Sequence, residues 1–196
     1  METIKFRVEG KEELLMANPR TVDPFDPYTI LKKQITAKRK KTDEDQLDLR
    51  RLDVESKIYW DDSIGVYVPA TWVSAALAGN SWMRAKIRKA EVRSAVFPVD
   101  RRIKLNYEKS NCVKSIKDIS GNPFFVKTML LKQGQVKIAK CAPVFHEWSF
   151  ETSLNFDKAI IDRSTLTELL AYAAMYGGFG DFRPTYGRAK FIEIED

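Results

Sequence analysis

Polar and apolar residues alternate from the start of the chain, with Ile4, Phe6 and Val8 on one side and Thr3, Lys5 and Arg7 on the other. A period of two over 2–8 predicts a half-buried strand, and Leu14-Leu15-Met16 continues the extended chain. Asn18-Pro19 and the run Asp23-Pro24-Phe25-Asp26-Pro27 then break regular structure repeatedly. A helix is expected from Pro27, a residue suited to the first helical position, with Asp26 as its cap. It should end among Lys38 to Lys41, where cations suit the negative end of the helix dipole. Thr42 ahead of Asp43-Glu44-Asp45 predicts a fresh helix start. Residues 17–56 therefore read as a charged helical insertion outside the core.

Ile58-Tyr59-Trp60 and Val66-Tyr67-Val68 predict short strands around an Asp61–Gly65 turn. Pro69 ends the second and begins a small-residue helix, ATWVSAALAG, expected to close at Gly79-Asn80. Ala70, Val73, Ala76 and Leu77 give it a narrow apolar stripe that permits close approach to a sheet. Residues 84–122 are basic and weakly patterned, with a strand expected at 91–99 and a loop from Ser110 to Asn122.

The last third is clearer. Phe124–Lys132, a Gln133-Gly134 turn and Gln135–Cys141 predict a hairpin. From 144 to 156, Val144, His146, Trp148, Phe150, Thr152, Leu154 and Phe156 share one face. His146 lies on that apolar face, so a hydrogen-bonded structural histidine is expected. Thr165-x-x-Glu168 resembles a capping box, and Leu166, Leu169, Leu170 and Ala173 follow at helical spacing up to Tyr176. Ala189 to Ile194 reads as a final strand. The expected fold class is α+β: a ferredoxin-like or RRM-like antiparallel sheet with helices on one face, in one domain spanning 1–196. It carries a helical insertion at about 17–56 and a basic irregular insertion at about 84–122.

Composition adds constraints to this outline. At 196 residues with 44% hydrophobic and 31% charged positions, the chain has room for a sizeable core. No apolar run is long enough to span a bilayer and METIKFRVEG lacks a signal-peptide pattern, so no membrane partner and a cytoplasmic location are expected. Cys112, Cys141 and a single histidine cannot assemble the usual four-ligand zinc site. No cofactor is expected. The net charge of +6 is concentrated. Residues 32–51 carry eight Lys/Arg, including Lys38, Arg39, Lys40 and Lys41, against four acids. Residues 84–104 carry eight more, including Arg84, Lys86, Arg88 and Lys89, against Glu91 and Asp100. Such clustering is the footprint of a polyanion binder, although solvated basic loops look the same.

GGFGDFRPTYGR, residues 177–188, holds four of the nine glycines. Phosphate-gripping glycine loops precede a helix, so that its amide-rich end faces the anion. This one follows a helix and leads into a strand, which excludes a Walker or dinucleotide fingerprint. Two readings stay open. In one, Gly177 or Gly178 caps the helix and Arg183-Pro184 turns a corner. In the other, Gly180 and Gly187 allow close approach of a ribose-phosphate chain, Arg183 and Arg188 contact phosphates, and Phe179, Phe182 or Tyr186 stack on bases.

Tyr67-Val68-Pro69 with Ala75-Ala76-Leu77, taken with Gly177, Gly178, Gly180 and Gly187, resembles the RAMP superfamily, the RNA-binding proteins of CRISPR effector complexes. Members place a strand and a proline-started helix early and a glycine-rich loop before the last strand. Ala70 stands where they carry glycine, and the helix start lacks their lysine. The chain is also similar to proteins of tailed bacteriophages that share DP…KRKKTDED and an ending of the G-D-[FW]-R-P-x-[FY]-G-R type. These resemblances imply single-stranded nucleic acid as partner, RNA favoured over DNA, phage origin (hence a host cytoplasm) and possible head-to-tail homo-oligomers. RAMP subunits that cleave RNA use an aspartate between the first strand and helix, the interval occupied by Asp23 and Asp26, where paired carboxylates could hold magnesium. Turn and cap chemistry explains the same residues. The main alternative to nucleic-acid binding, ahead of a magnesium-dependent ribonuclease using Asp23 and Asp26, is a phage assembly protein whose basic insertions meet an acidic protein, such as a host defence complex or a recombination or replication factor.

Overall fold

The computed structural model describes residues 1–133 and 136–194. The opening alternation is strand β1 (Glu2–Gly10), with Ile4, Phe6 and Val8 buried, and β2 (Leu14–Leu15) follows it. Helix α1 (Pro27–Thr36) starts where Pro27 and the Asp26 cap predict, and α2 (Asp43–Glu55) starts at Thr42. Thr42 and Asp45 cap each other reciprocally there, satisfying otherwise orphaned amides. Segment 17–56 is helical as expected, but its end reaches the core through Val54, and Ile58 just beyond it is buried there too.

Strands β3 (Trp60–Asp61) and β4 (Gly65–Pro69) flank the expected turn. Helix α3 (Ala70–Ala85) does not stop at Gly79-Asn80. The Asn80 side chain donates back to the Ala76 carbonyl at 2.7 Å instead of capping, and Leu77, Ala78 and Ser81 prolong the buried stripe. Lys86, with φ of 57°, supplies the left-handed cap.

The segment 84–122 is not irregular. It forms α4 (Lys89–Ala95), β5 (Val96–Pro98), β6 (Arg102–Lys104) and α5 (Ile116–Ser120). The strand expected at 91–99 is thus half helix and half strand. Each element is too short to leave a clear period.

The hairpin is β7 (Val126–Gln133) and β8 (Val136–Phe145), paired antiparallel. Its expected turn falls partly outside the described residues. The long face expected over 144–156 is interrupted, because Glu147 adopts φ of 44° between β8 and β9 (Ser149–Phe156). Helix α6 (Arg163–Tyr172) is capped by Asp162, which accepts the Thr165 amide at 2.9 Å, so Thr165 is not the cap. A π-turn over Ala173–Gly177 and the glycine loop lead into β10 (Ala189–Glu193).

The protein is mixed α+β. Its main sheet runs β10-β1-β9-β5 with every neighbouring pair antiparallel. Ile4, Phe6 and Val8 register with Leu154, Thr152 and Phe150, so one face is apolar. The buried residues of α3 and α6, among them Val73, Leu77, Leu166 and Leu169, join that core. The other face is open and presents Lys5, Arg7, Glu151 and Lys190. Two three-stranded sheets, β2-β8-β7 and β3-β4-β6, complete the molecule. Asp53 joins the helical segment to β8 by accepting the Cys141 amide at 3.1 Å and the Lys57 ammonium at 2.8 Å. No helix among the described residues is long and apolar enough to cross a membrane.

Candidate nucleic-acid interface

The glycine loop is closed on itself and tied down. Phe179 N–H donates to Gly187 O at 2.9 Å, joining its two ends. Asp181 N–H donates to Leu15 O and Gly187 N–H to Glu13 O, both at 2.9 Å, so β2 and the residue before it hold the loop in place. Gly178, Gly180 and Gly187 all have positive φ, between 70° and 76°. A Cβ at Gly180 would fall on the Leu15 carbonyl oxygen, and one at Gly187 on that of Phe179. The close approach expected at Gly180 and Gly187 is therefore made by the protein's own backbone, not by a ribose-phosphate chain.

The loop's side chains divide by exposure. Phe179 is only 3% exposed and packs edge-on against Trp148 and Phe150, with centroids 6.3 and 5.4 Å away. Base stacking by Phe179 is thereby excluded. Tyr186 is half-buried beneath the Lys127 ammonium, 4.9 Å from its ring centroid, and Lys127 is itself paired with Glu13. Arg188 bonds Glu12 at 2.6 Å, while its carbonyl accepts the Lys11 and Glu12 amides. Phe182 and Arg183 remain outward, and the peptide bond before Pro184 is cis.

Between this loop and α3 lies an open groove of about 560 Å³, lined by Ala75, Gly79, Asn80, Tyr176, Phe182 and Arg183, among others. Gly177 permits it, since a Cβ there would meet the Asn80 amide nitrogen at 2.6 Å. Tyr176, 64% exposed, packs against Tyr172 with ring centroids 4.8 Å apart and planes tilted by 39°, and forms one wall. Among the described residues Arg183 forms no ion pair, leaving its planar fork of donors available for an anion. Asp181 also lines the groove, its carboxylate accepting the Phe182 amide at 3.0 Å. The arrangement offers two exposed aromatic faces, one cation and a helix surface of small side chains.

The chain matches no family model and no curated protein.

Of the candidates named from sequence, Gly180, Phe182 and Arg183 line this groove, and the basic clusters do not. Lys38, Arg39, Lys40 and Lys41 are exposed between α1 and α2, with Lys38 paired to Asp45. That hydrogen bond holds the Asp45 carboxyl below its ordinary range and the Lys38 ammonium above its own. Arg84 reaches Glu168 at 2.8 Å, Lys86 lies over the Trp82 ring, and Arg88 and Lys89 are exposed where α4 begins. Among the groove residues to which sequence reasoning gave no binding role are Ala75, Gly79, Asn80, Tyr176 and Asp181. Small residues at 75 and 79 share a helix face, but that spacing equally describes packing on a sheet.

Asp23 and Asp26 do not form an open carboxylate pair. Asp23 accepts the Phe25 amide at 2.9 Å in a local turn. Asp26 is buried, accepts the Tyr28 amide at 2.9 Å and bonds the Arg20 guanidinium at 2.7 Å. Burial alone would raise the Asp26 carboxyl, but Arg20 and the Tyr28 amide outweigh it and hold it below the usual range. Turn and cap chemistry thus accounts for both side chains. His146 is half-buried and bonds the Phe124 carbonyl at 3.2 Å, with Glu13 3.5 Å from its other nitrogen. Both cysteines are free.

Proposed function

We propose that the chain is a non-catalytic single-stranded nucleic-acid-binding protein, RNA favoured over DNA, that seats its ligand in the groove between α3 and the glycine loop. The observation that carries this reading is the convergence of two distant segments, 75–80 and 176–184, on one surface with exposed aromatic rings and an unpaired arginine. Stacking on Tyr176 and Phe182 tolerates any base, and Arg183 suits a backbone phosphate. The sheet order also supports a ferredoxin-like reading. Counted along the chain, its strands lie in the order fourth, first, third, second, with α3 and α6 in the two crossovers. That order is compatible with the RAMP resemblance.

Titrating a labelled single-stranded oligonucleotide at several salt concentrations tests the proposal. Affinity should fall steeply with salt as counterions are released. Absence of binding to both RNA and DNA at low salt would overturn it. A second reading, an assembly protein meeting an acidic partner, is favoured by one observation: the cations of 38–41 and 86–89 lie outside the groove lining.

A further inference from the structure

A separate pocket, of about 370 Å³, opens between the β3–β4 turn and the chain that follows β6. Its walls are fixed by the main chain. Leu105 N–H donates to Val66 O at 3.0 Å, and Asn106 exchanges both backbone hydrogen bonds with Ser149 at 2.8 Å. Alternation along 103–107 buries Ile103, Leu105 and Tyr107 and leaves Lys104 and Asn106 exposed. Lys109, with φ of 60°, then turns the chain into a 3₁₀ turn (Ser110–Cys112), which brings Ser110 and Lys114 to the same pocket.

The polar groups gathered here are not used by the fold. Among the described residues the ammonium groups of Lys104 and Lys114 enter no ion pair, and the side chains of Asn106 and Ser110 enter no hydrogen bond. Tyr107 lines the pocket although it is only 8% exposed. Phe125 and Phe145 pack edge-on against its ring, its hydroxyl meets no partner among the described residues, and burial pushes it up to about 12. No partnerless side-chain oxygen among those residues is sealed from solvent, so this hydroxyl has an outlet, and the pocket is the opening that Tyr107 lines. A hydroxyl so nearly buried normally finds its partner within the protein. This one is left for a group from outside.

Charge and shape decide what fits. Two ammonium groups face one lining carboxylate, Asp62, which already accepts the Trp60 indole N–H at 2.9 Å. Asp118, outside the lining, accepts the Lys114 and Ser115 amides at 2.9 and 2.8 Å and forms no ion pair with the Lys114 ammonium. A metal cation finds no cluster of ligands among the described residues. An apolar ligand would strip water from the amide, hydroxyl and ammonium groups and replace it with nothing. An anion with several acceptor oxygens satisfies them, and Trp60 supplies an aromatic wall for a planar ring. The volume lies at the lower end of small-molecule pockets, about 300–1,000 Å³. We infer that this pocket binds a nucleoside monophosphate, its phosphate on Lys104, Lys114 and the Tyr107 hydroxyl and its base against Trp60. The site shares no residue with the groove beside α3 and does not depend on the function proposed for that groove.

Calorimetric titration of nuclease-treated protein with AMP and UMP at low salt tests the inference. One site per chain should fill with a dissociation constant below about 1 mM, and adenosine should bind at least about ten-fold more weakly. Lys104→Ala and Lys114→Ala, both at exposed positions, should each weaken AMP about ten-fold with circular dichroism unchanged. Tyr107→Phe should weaken it about three-fold yet keep the urea midpoint, because the hydroxyl bonds nothing within the protein. Arg183→Ala, in the other groove, should leave AMP binding intact. In that background, a 5′-phosphorylated trinucleotide that binds as tightly as AMP identifies the end of a strand as the natural source. One that fails to compete with AMP identifies a free nucleotide, and both results keep the site. Absence of AMP and UMP binding at millimolar concentration overturns the inference. So does adenosine binding as tightly as AMP, or an affinity indifferent to both lysine variants.

Discussion

Residues that looked equivalent in the glycine loop separate once their surroundings are known. Arg183 is exposed in the groove, whereas Arg188 is held by Glu12 at 2.6 Å. Arg183→Ala should therefore weaken oligonucleotide binding and reduce the salt slope by about 0.7, the contribution of one phosphate contact on a single strand. Arg188→Ala should leave that slope nearly unchanged; fluorescence anisotropy titrations at several salt concentrations compare the two. Phe179→Ala should lower folding stability by about 3–5 kcal/mol, as deleting a buried ring does, measured by urea unfolding. Gly187→Ala adds a left-handed penalty of about 1–2 kcal/mol to a collision with the Phe179 carbonyl, so its urea midpoint should also fall. Sequence could show that glycines were needed here. It could not show whether they yield to a ligand or to Leu15 and Phe179, because Leu15 is far from Gly180 in the chain and the Phe179 contact exists only once the loop has closed.

Elements with their own start signals were legible. Pro27 behind Asp26 and Thr42 before an acidic run each mark a helix by chemistry confined to a few neighbouring residues. Thr42→Ala should cost about 1 kcal/mol through loss of the reciprocal cap, detectable as a lower thermal midpoint. Alternation over Ile4, Phe6 and Val8 was equally direct. The failures have a common physical cause. Gly79-Asn80 continues a helix because residues packed beneath it outweigh local propensity, and 84–122 hides four short elements under a high density of charge. Asp61, in β3, accepts from Ser63 and from Arg102, and these bonds lower its carboxyl to about 2 from an ordinary 3.8. A carboxyl depressed in the folded state stabilises above its unfolded value and loses that contribution as pH falls through the folded one. Urea midpoints should hence decline between about pH 4 and pH 2, and Asp61→Asn should flatten part of that decline.

For the whole molecule, the net charge of +6 is unevenly distributed. Lys86, Arg88, Lys89, Arg93, Arg101 and Lys104 form no ion pairs among those of the described residues, while Arg84 and Arg102 do. These unpaired cations are expected to add long-range, salt-sensitive attraction for polyanions without selecting a sequence. Protein purified at low salt should accordingly carry nucleic acid, visible as a raised 260/280 absorbance ratio that falls after nuclease digestion and a high-salt wash.

The central position of β1 also matters while the chain is being made. Its neighbours are β9 and β10, so Glu2–Gly10 emerges from the ribosome well over a hundred residues before Ser149 supplies its first partner in the main sheet. Until then Ile4, Phe6 and Val8 belong to a strand with two unpaired edges, the condition that favours capture by chaperones or by other nascent chains. Pairing across such separations is slow. Yield in cells should thus depend on translation rate and temperature more than the stability of the finished fold would suggest.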